Sequence, residues 1–153
     1  MAVGSLVQVV NLIESIVEDF PTVKQFGSDF ESEMQNYLTT SEKFHSIFVA
    51  IPEDGAMTMS ENVNIIRVTV FCHAQIQADR GNILGLTSDN ELILADLYRT
   101  LDLNKDLEIT GEGIISNENN SRLDYLVGSK MDLEFIVDPV ESCRVPKNST
   151  YGI

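Results

Sequence analysis

The sequence predicts an α+β domain with an antiparallel or mixed β-sheet and two main helices packed on one face. Two segments repeat apolar residues at the three- and four-residue spacing of a helix. Other segments alternate apolar and polar residues, as half-buried strands do. The strands do not alternate regularly with helices, which argues against a parallel sheet built from strand–helix–strand units.

The first helix is predicted from an apolar repeat near the start of the chain. In the segment SLVQVVNLIESIVEDF the acidic residues fall on the side opposite the apolar ones, and Pro21 ends the run. The apolar residues at helical spacing are Leu6, Val9, Val10, Ile13, Ile16, Val17 and Phe20.

The stretch DRGNILGLTSDNELILADLYRTL, Asp79–Leu101, predicts a polar connection followed by a second helix. Ser88 precedes the apolar repeat and Glu91 follows three residues later, which is the spacing of a capping box. Asp89 and Glu91 would also lie in the first turn, near the positive end of the helix dipole. We therefore expect the helix to begin at Ser88 and the stretch to be a structural connection.

The strongest strand prediction covers Val63–Ile76, where residues of one parity should face the core. These residues are Ile66, Val68, Val70, Cys72, Ala74 and Ile76, and the opposite face carries Arg67, Thr69, Phe71 and His73.

Shorter strands are predicted at Val23–Phe26, at Ile47–Ile51 and at Lys130–Asp138. A further strand, Asp106–Ser116, should bend at its glycines. The segment Val23–Ser46 has no clean period, and after its short strand it is expected to form an irregular excursion, extended over Glu31–Phe44.

Length and composition predict a single domain over residues 1–146 and a loose C-terminal tail over residues 147–153. The chain has 153 residues, of which 43% are hydrophobic and 22% charged, values ordinary for a globular protein. No apolar run reaches the roughly 18 residues of a membrane span, and the first residues lack a basic secretory region. We expect synthesis in the cytoplasm, a buried thiol at Cys72 and a tail thiol at Cys143.

The charge balance is strongly acidic. The chain carries 24 acidic and 10 basic residues, a formal net charge of −14. This balance argues against a sequence-independent nucleic-acid binder and against docking on an anionic membrane. An acidic surface can instead repel DNA, or imitate DNA towards a basic partner.

No segment matches a known motif for catalysis, cofactor binding or metal binding. Asp79–Leu101 lacks both the G-x-G-x-x-G spacing and any lysine, so it does not match a phosphate-binding loop. Asp102–Gly113 resembles a calcium loop in its first half, but its sixth and twelfth positions hold Leu107 and Gly113 instead of glycine and glutamate. His45 and His73 lie outside metal-ligand spacings. We expect a protein that is not an enzyme, with no catalytic, cofactor-binding or metal-binding residues.

In its order of segments, the chain resembles the tail terminator and neck-ring proteins, the head–tail completion proteins of tailed bacteriophages. The resemblance covers Leu6–Pro146. It is carried by a first helix ending in EDFP, by VKQFGSDFE with its excursion, by the strands IFVAIP and NIIRVTVFCHAQI, by DRGNILGLTSDNELILADLYRTL, and by KMDLEFIVDPVESCRVP. The closing strand is also similar to tail-completion proteins of phages that infect Bacteroidetes.

The resemblance implies a non-enzymatic structural protein of the virion with a tail-terminator-like fold. Such proteins form homo-oligomeric rings, hexamers or dodecamers, at the neck or the head-proximal end of the tail. They contact neighbouring neck and tail proteins, and genomic DNA passes through the channel without sequence-specific binding. An acidic channel wall would let DNA slide. Subunit contacts are expected at the excursion and at strand edges such as Ile47–Ile51 or Met131–Val137.

Two other classes stay open. The alternative is a small acidic binding or inhibitor protein that mimics DNA towards a basic host partner. A third and weaker alternative is an acid-dependent hydrolase, because paired carboxylates depend on three-dimensional placement.

Overall fold

The computed structural model describes residues 3–40, 44–59, 63–76, 82–118 and 126–137. These ranges form three α-helices and a seven-stranded mixed sheet. The helices are α1 (Leu6–Glu18), α2 (Met34–Thr40), which a 3-10 turn at Glu31–Glu33 precedes, and α3 (Ile83–Asp102). The strands are β1 (Gln25–Phe30), β2 (Ser46–Ile51), β3 (Met57–Met59), β4 (Asn64–Gln75), β5 (Glu108–Thr110), β6 (Ile115–Glu118) and β7 (Leu126–Val137).

Two long antiparallel strands form the centre of the sheet. β4 and β7 pair along their whole length, from Asn64 opposite Val137 to Gln75 opposite Leu126. β2 and β3 pair with successive parts of β4, and β5 and β6 pair with successive parts of β7. β1 pairs with β2 in parallel and all other pairs are antiparallel. The described sheet therefore ends in β1 and β3 on one side and, on the other, in the β5–β6 row, the two strands that lie one after the other along β7.

The strand predictions are confirmed in place, with shifted ends. The predicted strand Asp106–Ser116 forms two strands, β5 and β6, that pair separately with β7. Gly111 lies between them with φ of 75°. A residue with a side chain is strained in that region, so the glycine permits the turn that separates the two strands.

One face of the sheet is covered by α1 and α3, as the sequence predicts. Four of the residues of β4 that are predicted to face the core, Ile66, Val68, Val70 and Cys72, pack against these helices, as do alternate residues of β7. Ala74 is buried outside this cluster and Ile76 is half-buried. Alternate residues of β2 join the same cluster. The fully buried members are Val9, Ile13, Ile47, Val49, Ile66, Val70, Cys72, Leu94, Leu97, Leu101 and Phe135.

The expectation of only two helices, both on one face, is wrong. α2 forms within the segment expected to be irregular and packs on the opposite face of the sheet. Met34 and Leu38, at i and i+4, contact a second cluster that contains Phe48 and Phe71. Polar residues interrupt this spacing after one turn, so the periodicity is too short to stand out in the sequence.

The predicted capping box at Ser88 is also wrong. α3 begins at Ile83 and includes Gly85, so Ser88 lies inside the helix and Glu91 outside its first turn. A glycine within a helix costs only about 1 kcal/mol, which packing of the helix against the sheet offsets. The capping box lies instead at α1, where Ser5 Oγ accepts from the Gln8 amide at 3.3 Å and Gln8 Oε1 accepts from the Ser5 amide at 3.1 Å.

Alanine substitution should distinguish the two serines. We expect Ser5→Ala to lower the free energy of unfolding by about 1 kcal/mol, because it removes a helix cap. Ser88→Ala should change that free energy by less than about 0.5 kcal/mol, because Ser88 is exposed within a helix. Urea unfolding of both variants checks this, and an equal loss in both would contradict it.

Several sequence expectations fall outside the described residues. They concern Cys143 and the tail over residues 147–153. Cys72 is buried, as predicted. Among the described helices, none is long and apolar enough to cross a bilayer.

Candidate assembly surface

A group of four apolar side chains, three of them exposed and Ile51 half-buried, lies at one end of the sheet, on the side of β1 and β3. Phe30 of β1 lies opposite Ile51 of β2. Met57 and Met59 belong to β3, which pairs with β4 beyond the end of β2. Met57 lies opposite the core residue Ile66, so the methionines project from the face that α1 and α3 cover elsewhere. Their exposed fractions are 42% for Met57 and 78% for Met59, and 50% for Phe30. We call these four residues the apolar corner.

Two further exposed apolar residues stand in the connections before and after β5, the strand at the opposite side of the sheet. Leu103 stands in the turn that leads from α3 to β5, and Ile114 stands between β5 and β6. Their exposed fractions are 82% and 70%. We call these two residues the apolar pair. Exposed methionines and branched side chains on two sides of one molecule are suited to packing against other copies.

The strand edges expected to mediate assembly are not edges. β2 lies between β1 and β4, and β7 lies between β4 and the β5–β6 row, so Ile47–Ile51 and Met131–Val137 are interior. The sequence could not show this, because strand order in a sheet is set by long-range pairing. Within the described residues the open edges belong to β1 and β3 on one side of the sheet and to β5 and β6 on the other.

The face of the sheet opposite α1 and α3 is polar and largely acidic beyond α2. Thr69 Oγ1 donates to Asp132 Oδ1 at 2.6 Å, and Thr110 Oγ1 donates to Glu134 Oε2 at 3.2 Å. Arg67 lies across from Glu134, but its guanidinium donates to the Gly55 carbonyl oxygen at 3.4 Å. Asp132 and Glu134 therefore project from the exposed face of β7, and neither forms an ion pair with a described cation.

A buried polar cluster connects α3 to the sheet. Asn90 is fully buried, and its Oδ1 accepts from His45 Nδ1 at 2.9 Å and from the Cys72 thiol at 3.3 Å. Asn90 Nδ2 donates to the Val127 carbonyl oxygen at 3.2 Å. Burial raises the pKa of the Cys72 thiol well above its usual range. Cys72 is thus a protonated donor at neutral pH and lacks the thiolate that a nucleophile needs.

Ser46 and His73 face each other across β2 and β4, and both are buried. Ser46 Oγ and His73 Nδ1 each have no hydrogen-bond partner among the described residues, so no hydrogen bond joins them as nucleophile and base. The His73 ring lies over Gly128, where a Cβ atom would come 2.9 Å from Nε2. The His73 ring fills the space that Gly128 leaves by having no side chain. This explains why His73 is buried although the alternation predicts only that it lies on the face opposite the core.

The buried His73 should make stability depend on pH. Burial lowers its pKa from 6.5 to about 4, because the charged imidazolium is penalised inside the protein. Between pH 6.5 and about pH 4, His73 binds a proton more tightly in the unfolded chain than in the folded protein. The stability that this difference in proton binding provides is fully present above pH 6.5. As the pH falls from 6.5 to about 4, the free energy of unfolding decreases by up to about 3 kcal/mol.

His73→Phe tests this dependence. Chemical unfolding from pH 7 to pH 4 should show a smaller loss of stability in the variant than in the natural protein. The His45→Phe variant is the control, because it removes the other histidine of the chain and leaves the buried His73 in place, so it should keep the dependence. Equal slopes for His73→Phe and the natural protein would contradict the assignment.

The residues tested for a calcium loop form an ordinary turn. Asn104 Oδ1 accepts from the Asp106 amide at 2.8 Å, and Asp102 is the last residue of α3. Within the part of the chain that the structure describes, no three histidine, cysteine or acidic side chains converge on a possible metal position. Glu91, expected in a capping box, accepts instead from Asn117 of β6 at 3.3 Å.

The comparisons with known proteins place the chain in no family. No family model matches the sequence, and no curated protein matches it. The fold and surface define a small acidic α+β protein with exposed apolar groups on two opposite sides.

Proposed function

We propose that the protein is a structural subunit of a phage virion. It would form a homo-oligomeric ring at the neck or the head-proximal end of the tail, where it joins tail to connector in the manner of a tail terminator. This function is the one that the resemblance in segment order implies, and it involves no catalysis.

The observation that carries the proposal is the placement of the apolar corner and the apolar pair. The apolar corner lies beside β1 and β3, and the apolar pair lies beside β5 and β6, on the opposite side of the sheet. Contact between the corner of one copy and the pair of the next is a head-to-tail interface. Such an interface closes into a ring when the rotation between copies divides a full turn. A two-fold dimer would instead use the same surface twice.

The acidic surface suits a ring around DNA. Carboxylates such as Asp132 and Glu134 project into solvent, and a channel lined by such groups would repel the phosphate backbone. DNA would then pass without being held and without sequence-specific contacts. The neighbouring neck and tail proteins would contact the two flat sides of the ring.

A second candidate function is a small acidic binding protein that mimics DNA towards a basic host protein. The same uncompensated carboxylates favour it. Size and salt dependence separate the two functions. Rings in negative-stain images support assembly, whereas a strict monomer whose binding to a basic protein weakens steeply with added salt supports the mimic.

A further inference from the structure

We propose that the outer edge of β1, together with the pocket beside it, docks an extended segment of a different protein. That segment would add a strand to the sheet and place a lysine or arginine side chain in the pocket. Phe30 of the apolar corner is the last residue of β1, but the pocket lies on the opposite face of that strand, beside Gly27 and Asp29. The proposal does not depend on ring formation.

The backbone of β1 is available for an added strand. The Lys24 amide donates to the His45 carbonyl oxygen at 2.8 Å, which directs its backbone groups towards β2. Because backbone groups in a strand alternate in direction, those of Gly27 and Asp29 point away from β2. No described strand pairs with this edge. The last residues of β1, from Ser28 to Phe30, are exposed.

A pocket of about 450 Å³ opens between β1 and α2. Its apolar wall is made by Tyr37 and Phe48, whose ring centroids are 4.9 Å apart. The Tyr37 ring occupies the position that a side chain on Gly27 would take, so the ring lies directly against the strand backbone. A side chain projecting from an added strand on this face of the sheet would meet the ring.

Two carboxylates complete the pocket. Asp29 and Glu33 line it, and neither forms an ion pair with a described cation. Asn36 Nδ2 donates to Glu33 Oε2 at 2.9 Å and orients that carboxylate. An aliphatic stem against the aromatic wall, with a cationic head at the carboxylates, is the chemistry of a lysine or arginine side chain.

The charges argue against a second copy as the occupant. The open edge on the other side of the sheet belongs to β5 and β6. Its residues on the face of the pocket include Glu108, which forms no ion pair with a described cation, and Glu118, which pairs with Lys130 at 3.3 Å. Pairing that edge with β1 would place acidic residues near Asp29 and Glu33, which is unfavourable. The fitting partner is therefore a basic segment of another protein.

Peptide titration of the isotope-labelled full chain, followed by NMR, tests the proposal. The probe is a heptapeptide of alternating threonine and valine with a central lysine, and the matched probe carries norleucine in place of lysine. We expect saturable shifts at the amides of Gly27 and Asp29, with the lysine peptide binding about 10-fold more tightly. Free 1-aminobutane should bind far more weakly, because it lacks the backbone groups that pair with β1.

Two variants complete the test. Asp29→Asn removes the charge but keeps the oxygen that accepts from the Phe30 amide. The double variant Asp29→Asn with Glu33→Gln should abolish the preference for the lysine peptide. Asp132→Asn, on the same sheet face but outside the pocket, should leave the preference unchanged. Equal affinity for both peptides, shifts away from β1, no binding of either, or equal binding of 1-aminobutane would overturn the proposal. None of these outcomes bears on ring assembly.

Discussion

Replacement of both Met57 and Met59 by aspartate is expected to abolish assembly while leaving the subunit folded. An aspartate pair in the apolar corner would have to be buried without partners when two copies meet. We expect each interface to weaken by at least about 100-fold, or about 2.7 kcal/mol. The fold should persist, since β3 is exposed along its whole length. Sedimentation velocity measures the assembly and circular dichroism the fold.

The apolar pair gives the complementary variant. Leu103→Asp with Ile114→Asp should also yield monomers, because it removes the other half of the same interface. Leu84→Asp with Leu92→Asp, on the exposed side of α3, is the matched control and should assemble normally.

Mixing the two monomeric variants tests the head-to-tail geometry. Each variant keeps the surface that the other lacks, so one intact interface can form between them. We expect a heterodimer that grows no further. A two-fold contact that used the corner twice would leave the mixture monomeric, and that result would contradict the ring geometry even if both single variants fail to assemble.

Asn90→Ala is expected to lower the free energy of unfolding by about 3 kcal/mol. The substitution removes the acceptor for His45 and Cys72 and the donor to the Val127 carbonyl oxygen, and it leaves a small cavity beneath α3. Buried groups that lose their partners contribute most of this loss. Urea unfolding at neutral pH measures it.

Asn11→Ala is the control for that experiment. Asn11 lies on the exposed side of α1, and its substitution should change stability by less than about 0.5 kcal/mol. A loss below about 1 kcal/mol for Asn90→Ala would show that the polar cluster does not anchor α3 to the sheet.

The parts of the fold that depend on local pattern could be predicted from the sequence. The alternation in Val63–Ile76 identifies the core face of β4, and the helical repeat in the first segment identifies α1. Both signals extend over many residues, so a single exception does not hide them. The division of the predicted strand at Gly111 follows from one positive φ angle, which the sequence marks only by a glycine.

The missed features depend on contacts between distant segments. α2 spans two turns, and it is stabilised by packing on Phe48 and Phe71 more than by its own pattern. α3 begins at Ile83, before Ser88, although the buried residues of the helix all follow that serine, so the start of the helix is not marked by its buried face. Strand order also depends on pairing between distant segments. For this reason the prediction that Ile47–Ile51 forms an edge strand is wrong.

The candidate surfaces were visible only in part. Met57, Thr58 and Met59 alternate as the residues of a strand do. The pattern does not show that the two methionines lie where neither α1 nor α3 covers the sheet. Asp29 and Glu33 are two acidic residues among many, and only the fold places them beside the open edge of β1. Surfaces of this kind require the three-dimensional arrangement of segments.

The mass of the assembled natural protein tests the central claim most directly. Sedimentation velocity of the full chain over a wide range of concentration, with negative-stain imaging of the largest species, should show one closed ring of six or twelve copies. The stoichiometry should not grow with concentration. A monomer at every concentration up to the solubility limit, or filaments that lengthen without closing, would contradict the claim that this protein is a ring-forming subunit.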